Sequence, residues 1–232
     1  MAEQQSDDPK MRLVRSYVLR EGKITQAQRR ALDELWPRWG LEYPPVGVPA
    51  DWFGRQAPLS VEIGFGIGEA LLHLAKLRPE WNHLGIEVHR PGVGALLINL
   101  EAEQLDNVRL IRHDAIEVLR ESLPDASIDE LRIFFPDPWP KKRHHKRRLV
   151  QDAFLDMALP KLRPGGLLHL ATDWQPYAEQ MLELLDKRQD LENTSEGFVE
   201  RPESRPQTRF ERRGVRLGHG VFDLLYRRRQ RR

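Results

Sequence analysis

Short apolar runs alternate with amphipathic stretches along most of the chain, from Leu59 to Asp190. The apolar runs predict strands at residues 59–64, 84–88, 108–115, 130–135 and 167–173. The stretches with apolar residues at helical spacing predict helices at residues 69–77, 91–105, 115–123, 147–162 and 176–190. Strands that alternate with helices predict an α/β fold, with a mostly parallel sheet and helices on both faces.

Both ends of the chain depart from this rhythm. Residues 192–202 and 220–229 look like strands with no helix between them, so we expect them to pair antiparallel at one edge of the sheet. Residues 1–55 are expected to be a partly flexible N-terminal extension with one helix, at residues 25–35. Residues 36–54 are rich in proline and glycine, which argues against regular structure there. The main domain is then residues 56–226, followed by a basic tail at residues 227–232.

Composition excludes several classes of protein. Hydrophobic residues make up 40% of the chain and charged residues 31%, which is too apolar for a disordered chain and too polar for a membrane protein. There is no cysteine, so disulfides and thiolate chemistry are excluded. The first residues lack the pattern of a secretory signal, and we expect a cytoplasmic protein with no membrane partner.

The net charge of +2 conceals two concentrations of positive charge. Residues 141–148, KKRHHKRR, contain six lysines and arginines, and the tail RRRQRR contains five arginines. The residues outside these two segments carry a net negative charge. A local cluster of cations on an acidic body favours an anionic partner, with nucleic acid the leading candidate. For the tail RRRQRR alone, a solvent-exposed chain end explains the positive charge without any partner.

A glycine-rich turn follows the first predicted strand, in the sequence EIGFGIGE. Gly64, Gly66 and Gly68 allow the backbone to turn tightly and approach a ligand at a helix N-terminus. A dinucleotide fingerprint needs a further glycine at position 69, where this chain has Glu69. The spacing that remains suits a ligand without a pyrophosphate, and S-adenosylmethionine is the obvious one.

Acidic residues end the first three predicted strands. Glu62 is suited to the charged methionine part of such a ligand, or is simply a buried acid of its strand. Glu87 lies where a carboxylate accepts hydrogen bonds from ribose hydroxyls. Asp114 could contact the adenine, cap the next helix, or do both. We therefore expect these three carboxylates to lie together at the carboxyl edge of the sheet.

The fourth predicted strand leads into PDPWPKKRHHKRR, the strongest signal in the sequence. Two prolines fix the backbone around Asp137, and Trp139 and the cationic run follow. A carboxylate and an aromatic ring beside clustered cations suit an enzyme that stacks a base and holds phosphates. His144 and His145 are adjacent and have no third ligand nearby, so a metal site is rejected.

Two later segments add polar groups. Asp173 ends the fifth predicted strand, where it reaches the cleft or caps the following helix. The sequence TRFE places Thr208, Arg209, Phe210 and Glu211 on a polar loop between the last two strands. The threonine and the glutamate are suited to the edge of a base, whereas Phe210 could be only a core residue.

Together, the motifs EIGFGIGE, GIEVH, HDA, FFPDPWPKKRHHKRR, TDW and TRFE resemble those of the tRNA (guanine-N7)-methyltransferase family, from about residue 22 to residue 226. The resemblance is to the bacterial single-chain form. It implies a Rossmann-like class I methyltransferase fold over residues 56–226 with S-adenosylmethionine as cofactor. It also implies tRNA as partner, no obligatory protein partner, and methylation at N7 of the guanosine at position 46 in the variable loop. The sequence departs from the family pattern at Arg209, where lysine is common, and in the long basic tail.

The resemblance and the motifs together indicate roles for individual residues, and Asp137 is our choice for the carboxylate that favours the positive charge developing on the purine. The cofactor would be bound by Glu62, Gly64, Gly66, Gly68, Glu87, Asp114 and Asp137. The substrate would be bound by Lys141, Asp173, Thr208, Arg209, Phe210 and Glu211. The RNA backbone would be bound by Arg143, His144, His145, Lys146, Arg147 and Arg148.

Three other functions fit the sequence less well. A methyltransferase for a small anionic substrate would keep the acids but has no need of the cations at residues 141–148. A non-catalytic RNA-binding module would keep the cations but has no need of acids at five strand ends. An NAD-dependent oxidoreductase is opposed by Glu69 in the glycine turn.

Overall fold

A mixed sheet of eight strands runs through the computed structural model, which describes residues 22–209, 211, 212 and 220–230. The strands are β1 (Gly40–Leu41), β2 (Leu59–Ile63), β3 (Asn82–Ile86), β4 (Val108–Ile111), β5 (Ile128–Phe134), β6 (Leu162–Thr172), β7 (Leu191–Asn193) and β8 (Phe222–Arg228). Their order is β1-β4-β3-β2-β5-β6-β8-β7. Strands β1 to β6 pair in parallel, and β8 is antiparallel to both β6 and β7. The predicted fold, a mostly parallel sheet with antiparallel pairing at one edge, is confirmed.

Helices connect the parallel strands, mostly where the periodicity predicts them. The α-helices are α1 (Gln26–Glu34), α2 (Trp36–Trp39), α3 (Pro49–Phe53), α4 (Glu69–Leu77), α5 (Arg90–Glu103), α6 (Ala115–Glu121), α7 (Asp152–Ala158) and α8 (Gln175–Asp186). Short 3-10 helices span Lys142–Arg147 and Leu159–Lys161. None of the helices in the described part of the chain is long and apolar enough to cross a bilayer.

The helix predicted over residues 147–162 is shorter than expected. Residues 148–151 are not helical, and α7 begins only at Asp152. The backbone N–H of Val150 donates to the Tyr177 hydroxyl at 3.0 Å, a hydrogen bond that replaces a helical one. The basic residues before α7 therefore form a separate turn, anchored to α8.

Residues 36–54 contain regular structure, against the expectation from their proline and glycine content. Helices α2 and α3 each have a proline in their first turn, where the missing N–H costs nothing. Strand β1 pairs in parallel with β4 at the edge of the sheet. Helix α1 packs closely on α5, since a Cβ atom added to Gly94 would lie 2.7 Å from the carbonyl oxygen of Gln28. At the other end of the chain, β8 continues to Arg228, two residues into the predicted tail.

The two faces of the central strands carry different chemistry. One face is apolar and packs against α6, α7 and α8 through residues such as Val61 and Leu131. On the other face Glu62, Arg132 and His169 follow one another across β2, β5 and β6, and each is at most 2% exposed. Interior parallel strands are usually apolar on both faces, so this buried charged layer is unusual.

Candidate active site

Two adjoining cavities open at the carboxyl end of the parallel strands, where open α/β sheets bind ligands. The first, of about 280 Å³, lies beyond β2 to β5, and its lining includes Glu87, His113, Asp114 and Asp137. The second, of about 580 Å³, is lined by the glycine turn together with Glu62, Thr208 and Arg209. Gly64, Phe134 and Phe135 line both cavities. The structure therefore brings most of the predicted cofactor residues and part of the predicted substrate loop to one place.

The glycine turn between β2 and α4 has the geometry that the sequence predicts. Gly64, Gly66 and Gly68 all adopt left-handed backbone angles, with φ of 70°, 59° and 81°. A Cβ atom at Gly64 or Gly66 would meet nothing within 4 Å. It is thus the backbone angle, rather than crowding, that favours glycine at these two positions.

Glu87, directly after β3, joins the turn to the first cavity. Its carboxylate accepts hydrogen bonds from the backbone N–H groups of Gly66 (2.8 Å), Val88 (2.7 Å) and His89 (2.9 Å). These bonds fix both the orientation of the side chain and the position of the glycine turn. The carboxylate is a preorganised acceptor at the cavity wall.

Glu62 is buried, with 2% of its surface exposed, beneath the second cavity. Burial raises the pKa of Glu62 to about 7, although Arg132, whose Nη1 lies 3.6 Å from Oε2, opposes the shift. Within the described part of the chain, Oε2 has no hydrogen-bond partner. A buried carboxylate oxygen without a partner is costly, and a ligand cation at this wall would relieve the cost.

The structure tests the helix-cap alternative for Asp114 and for Asp173. Asp114 caps α6 by accepting from the N–H of Ile116 at 2.8 Å, so the cap is confirmed. Asp114 also lines the first cavity, and its contact with the adenine stays a prediction. Asp173 follows β6 directly, but the N-cap of α8 is Trp174. Asp173 is therefore not the capping residue of α8.

The turn that carries Asp137 is strained. Phe135 and Trp139, on either side of the Pro-Asp-Pro sequence, have left-handed φ angles of 51° and 44°. Such angles are unfavourable for bulky residues and cost on the order of 1 kcal/mol or more each. Phe135 is held by a hydrogen bond from its N–H to the carbonyl of Ala171 at 2.7 Å. Because strain of this kind concentrates at functional sites, the turn is a strong candidate for the catalytic element.

The basic block, residues 141–148, forms the 3-10 turn after this aspartate. Five of its six lysines and arginines are exposed, and the exposed ones are Lys141, Lys142, Arg143, Lys146 and Arg147. The Arg147 guanidinium lies 5.0 Å from the centre of the Trp139 ring, and His144 contacts the same ring edge-on. Desolvation and the surrounding cations lower the pKa of His144, which leaves the imidazole neutral at pH 7.

The position of Arg148 does not agree with the prediction that this residue contacts the RNA backbone. Its side chain is 2% exposed and donates to the carbonyl of Pro138 at 2.8 Å and to Gln180. Its guanidinium also stacks on the Tyr177 ring. Arg148 instead anchors the Asp137 turn to α8.

The predicted substrate loop is described except for Phe210, which lies outside the described residues. Thr208 and Arg209 line the second cavity. Glu211 is buried at 4% exposure, and its two carboxylate oxygens accept from Arg205 at 2.5 and 3.3 Å. The position of Glu211 therefore differs from the sequence-based expectation, in which its carboxylate is free to bind the edge of a base.

Sequence reasoning missed the residues that support this loop. Arg205 and Arg132 are fully buried cations, and neither belongs to a motif named above. A usable signal is present, however. Glu130 and Arg132 alternate with apolar residues in a strand that should be buried on both faces, which indicates a buried charged layer.

Comparisons with known proteins agree with this site. A family model described as "Putative methyltransferase" matches residues 56–224. The tRNA (guanine-N(7)-)-methyltransferase of Alkalilimnicola ehrlichii is 57% identical over 94% of this chain and 94% of its own length. The enzyme of the same name from Thiobacillus denitrificans is 55% identical over 93% of this chain and 96% of its own length.

Solved structures share the fold at low sequence identity. The 16S rRNA methyltransferase KamB aligns with a TM-score of 0.59 at 14% identity, over 83% of this chain and all of its own. A 16S rRNA (adenine(1408)-N(1))-methyltransferase from Catenulisporales acidiphilia, solved with its cosubstrate SAM, aligns with a TM-score of 0.54 at 16% identity, over 79% of this chain and 91% of its own. The fold is thus that of the Rossmann-like, S-adenosylmethionine-dependent methyltransferases. Together with the family match and the close relatives, it shows that the chain belongs to the tRNA (guanine-N(7)-)-methyltransferase family.

Proposed function

We propose that this protein transfers the methyl group of S-adenosylmethionine to N7 of the guanosine at position 46, in the variable loop of tRNA. One observation carries the proposal. The strained turn that holds Asp137 lines the first cavity and leads directly into the exposed cations of the basic block. Cofactor and polyanionic substrate would meet at this carboxylate. The names of the relatives support the choice of tRNA and of N7, and position 46 rests on the motif resemblance.

The residues around the first cavity fit S-adenosylmethionine, which when bound supplies an electrophilic methyl group on a positively charged sulfur. Glu87 would accept hydrogen bonds from the ribose hydroxyls, and Asp114 would lie by the adenine. Glu62 lines the adjoining second cavity, and its buried oxygen, which accepts no hydrogen bond in the described part of the chain, suits the ammonium group of the methionine part. Gly64 and Gly66 leave open space beside the turn for this ligand.

The chain needs no general base for this reaction. Guanine N7 carries an unprotonated lone pair on the major-groove edge and is already nucleophilic at neutral pH. The protein must instead hold N7 in line with the methyl carbon and favour the positive charge that develops on the purine. Asp137 is the carboxylate we assign to the second task.

Base selection cannot rest on N7 itself, because adenine also has an N7 atom, and we place it at the opposite edge of the purine. Guanine offers N1–H and the N2 amino group as two adjacent donors, and a carboxylate accepts both. Adenine would place its N1 acceptor against that charge and be rejected. We assign this role to Asp173, because it directly follows β6 at the carboxyl end of the sheet.

Methyl transfer from labelled S-adenosylmethionine to tRNA transcripts tests the proposed function. The purified chain alone should label a transcript with guanosine at position 46 and leave one with adenosine there unlabelled. Label on free guanosine but not on tRNA would overturn the proposal in favour of a small-molecule methyltransferase. Label on the adenosine-46 transcript would overturn the choice of target.

Replacing Glu87 by alanine should weaken S-adenosylmethionine binding by about 1.5 to 3 kcal/mol, the usual cost of losing hydrogen bonds to a charged acceptor. We expect the upper end of this range, because Glu87 also holds the N–H of Gly66. Calorimetric titration with the cofactor measures the effect. Affinity for tRNA should stay nearly unchanged.

The control for this variant is Glu80→Ala, which removes an exposed carboxylate at the opposite end of the strands. It should bind the cofactor like the unmodified protein. If Glu87→Ala also bound it normally, Glu87 would not belong to the cofactor site.

Replacing Arg143, Lys146 and Arg147 together by alanine should weaken tRNA binding and flatten its dependence on salt. Each lost phosphate contact reduces the log–log slope of affinity against salt concentration by roughly 0.7 to 0.9. Equilibrium binding at several salt concentrations gives the slope.

The matched control removes three cations, Lys161, Arg163 and Lys187, from the other end of the sheet. Its slope should be nearly that of the unmodified protein. Equal slopes for the two triple variants would show that the basic block is only a solvated loop.

A further inference from the structure

Residues 204–209, 211 and 212 belong to a loop that is attached to the charged face of the sheet through one buried cation. Arg205 has no exposed surface and lies between two carboxylates. Its Nε and Nη2 donate to the two oxygens of Asp223, each at 2.6 Å. Its Nη1 and Nη2 donate to the oxygens of Glu211 at 2.5 and 3.3 Å. One guanidinium thus ties the loop to β8 and also ties the two ends of the loop together.

The surrounding residues keep this arrangement charged and fixed. His169 on β6 lies 2.8 Å from Asp223, and burial lowers the pKa of His169, so a neutral imidazole donates to the carboxylate. Burial alone would raise the pKa of Asp223, but hydrogen bonds from His169 and Arg205 lower it. Arg132 reaches the same loop, with Nη2 3.4 Å from the carbonyl of Ser204. Since Arg132 also faces Glu62, the layer runs continuously from the cofactor side to the loop.

A second attachment joins the loop to the glycine turn. Glu69, the first residue of α4, accepts a hydrogen bond from the N–H of Arg209 at 2.5 Å and lies 3.6 Å from Arg212 Nη2. This glutamate occupies the position where a dinucleotide-binding turn needs glycine. Between the two attachments, Thr208 and Arg209 line the second cavity.

We propose that Arg205 and Glu69 are positioning residues, which fix this loop so that Thr208 and Arg209 face the incoming base beside the glycine turn. The proposal rests on the proposed function for the identity of the base. Neither residue lines the first cavity, and Arg205 lines neither cavity. The contribution of Arg205 should therefore appear in the position of the loop and in turnover, and not in cofactor affinity.

Two variants test this role. Arg205→Lys keeps the charge but cannot make two hydrogen bonds to each carboxylate, because a lysine has one compact ammonium in place of a planar fork. Glu69→Gln keeps an acceptor for Arg209 but removes the ion pair with Arg212. The matched control is Arg188→Lys, which breaks a paired Arg–Asp contact with Asp190 far from the site.

Hydrogen exchange of residues 204–212 is measured first, because it needs no activity. The amides of Arg209 and Glu211 should exchange at least several-fold faster in Arg205→Lys and in Glu69→Gln, and at the normal rate in Arg188→Lys. In turnover assays with tRNA, Arg205→Lys should lower kcat by up to the order of 100-fold, since small misplacements of this kind have effects of that size. In Arg205→Lys the cofactor Kd should stay within about twofold, because Arg205 lines neither cavity.

Unchanged exchange in both variants would overturn the positioning role, whatever the activity. A loss of cofactor binding equal to the loss of turnover would also overturn it, because that result indicates general destabilisation. If the unmodified protein did not methylate tRNA, the proposed function would fail, while the exchange rates would still decide whether the two residues fix the loop.

Discussion

Replacing Asp137 by asparagine should lower kcat by on the order of 100- to 1,000-fold, the range seen when one electrostatic contact to a transition state is removed. Affinity for tRNA should change little, because it depends mainly on phosphate contacts. Single-turnover rates and equilibrium binding, measured on the same preparation, separate the two quantities.

The size of this effect follows from where the positive charge moves. It begins on the sulfur of the cofactor and ends on the purine, so a carboxylate beside the acceptor interacts most strongly late in the reaction. The backbone around Asp137 is held by two prolines and by the left-handed residues Phe135 and Trp139. Asparagine fits the same space but has no charge, so the loss reports electrostatics rather than shape.

Asp152→Asn is the control, since Asp152 is an exposed carboxylate in the first turn of α7, just beyond the basic block. It should turn over normally. Normal turnover of Asp137→Asn would end the catalytic assignment. A loss of cofactor affinity, with the rate restored at saturating cofactor, would make Asp137 a binding residue only.

Much of the fold follows from local patterns in the sequence. The helix of α4 spans the nine residues that its periodicity predicts, and the glycine turn before it has the expected left-handed angles. Patterns fail where tertiary contacts decide the backbone. Arg148 belongs to the basic run and is therefore expected from the sequence to contact RNA, yet it is buried against Tyr177. In this position it keeps residues 148–151 out of the helix.

The site could be predicted only in part, for a related reason. Glu87 and Asp114 end strands whose positions are clear from the sequence, so their meeting at the sheet edge follows from topology. The contact of Glu211 with Arg205 is not evident in this way, because Asp223 also holds Arg205 in place. Asp223 is distant in sequence and on an antiparallel strand, and only the pairing of β8 with β6 brings it next to His169 and Arg205.

A tRNA with 7-deazaguanosine at position 46 should bind with nearly normal affinity and accept no methyl group. The change replaces N7 by a carbon that has no lone pair, while the N1–H, the amino group and every phosphate remain. Binding depends on groups that are kept, and the reaction depends on the one that is removed. Filter binding and methyl transfer from labelled cofactor measure the two properties on one transcript.

The control is the same substitution at a guanosine elsewhere in the tRNA, which should be methylated at the normal rate. Methyl transfer to the position-46 analogue at that rate would show that another atom or another nucleotide is the acceptor. The analogue also bears on Asp137. If the carboxylate acts only as positive charge develops, Asp137→Asn and the unmodified protein should bind this unreactive tRNA equally well, although they differ greatly in turnover on guanosine. Weaker binding by the variant would place the contact in the ground state, and the fall in turnover would then reflect substrate binding rather than stabilisation of the transition state.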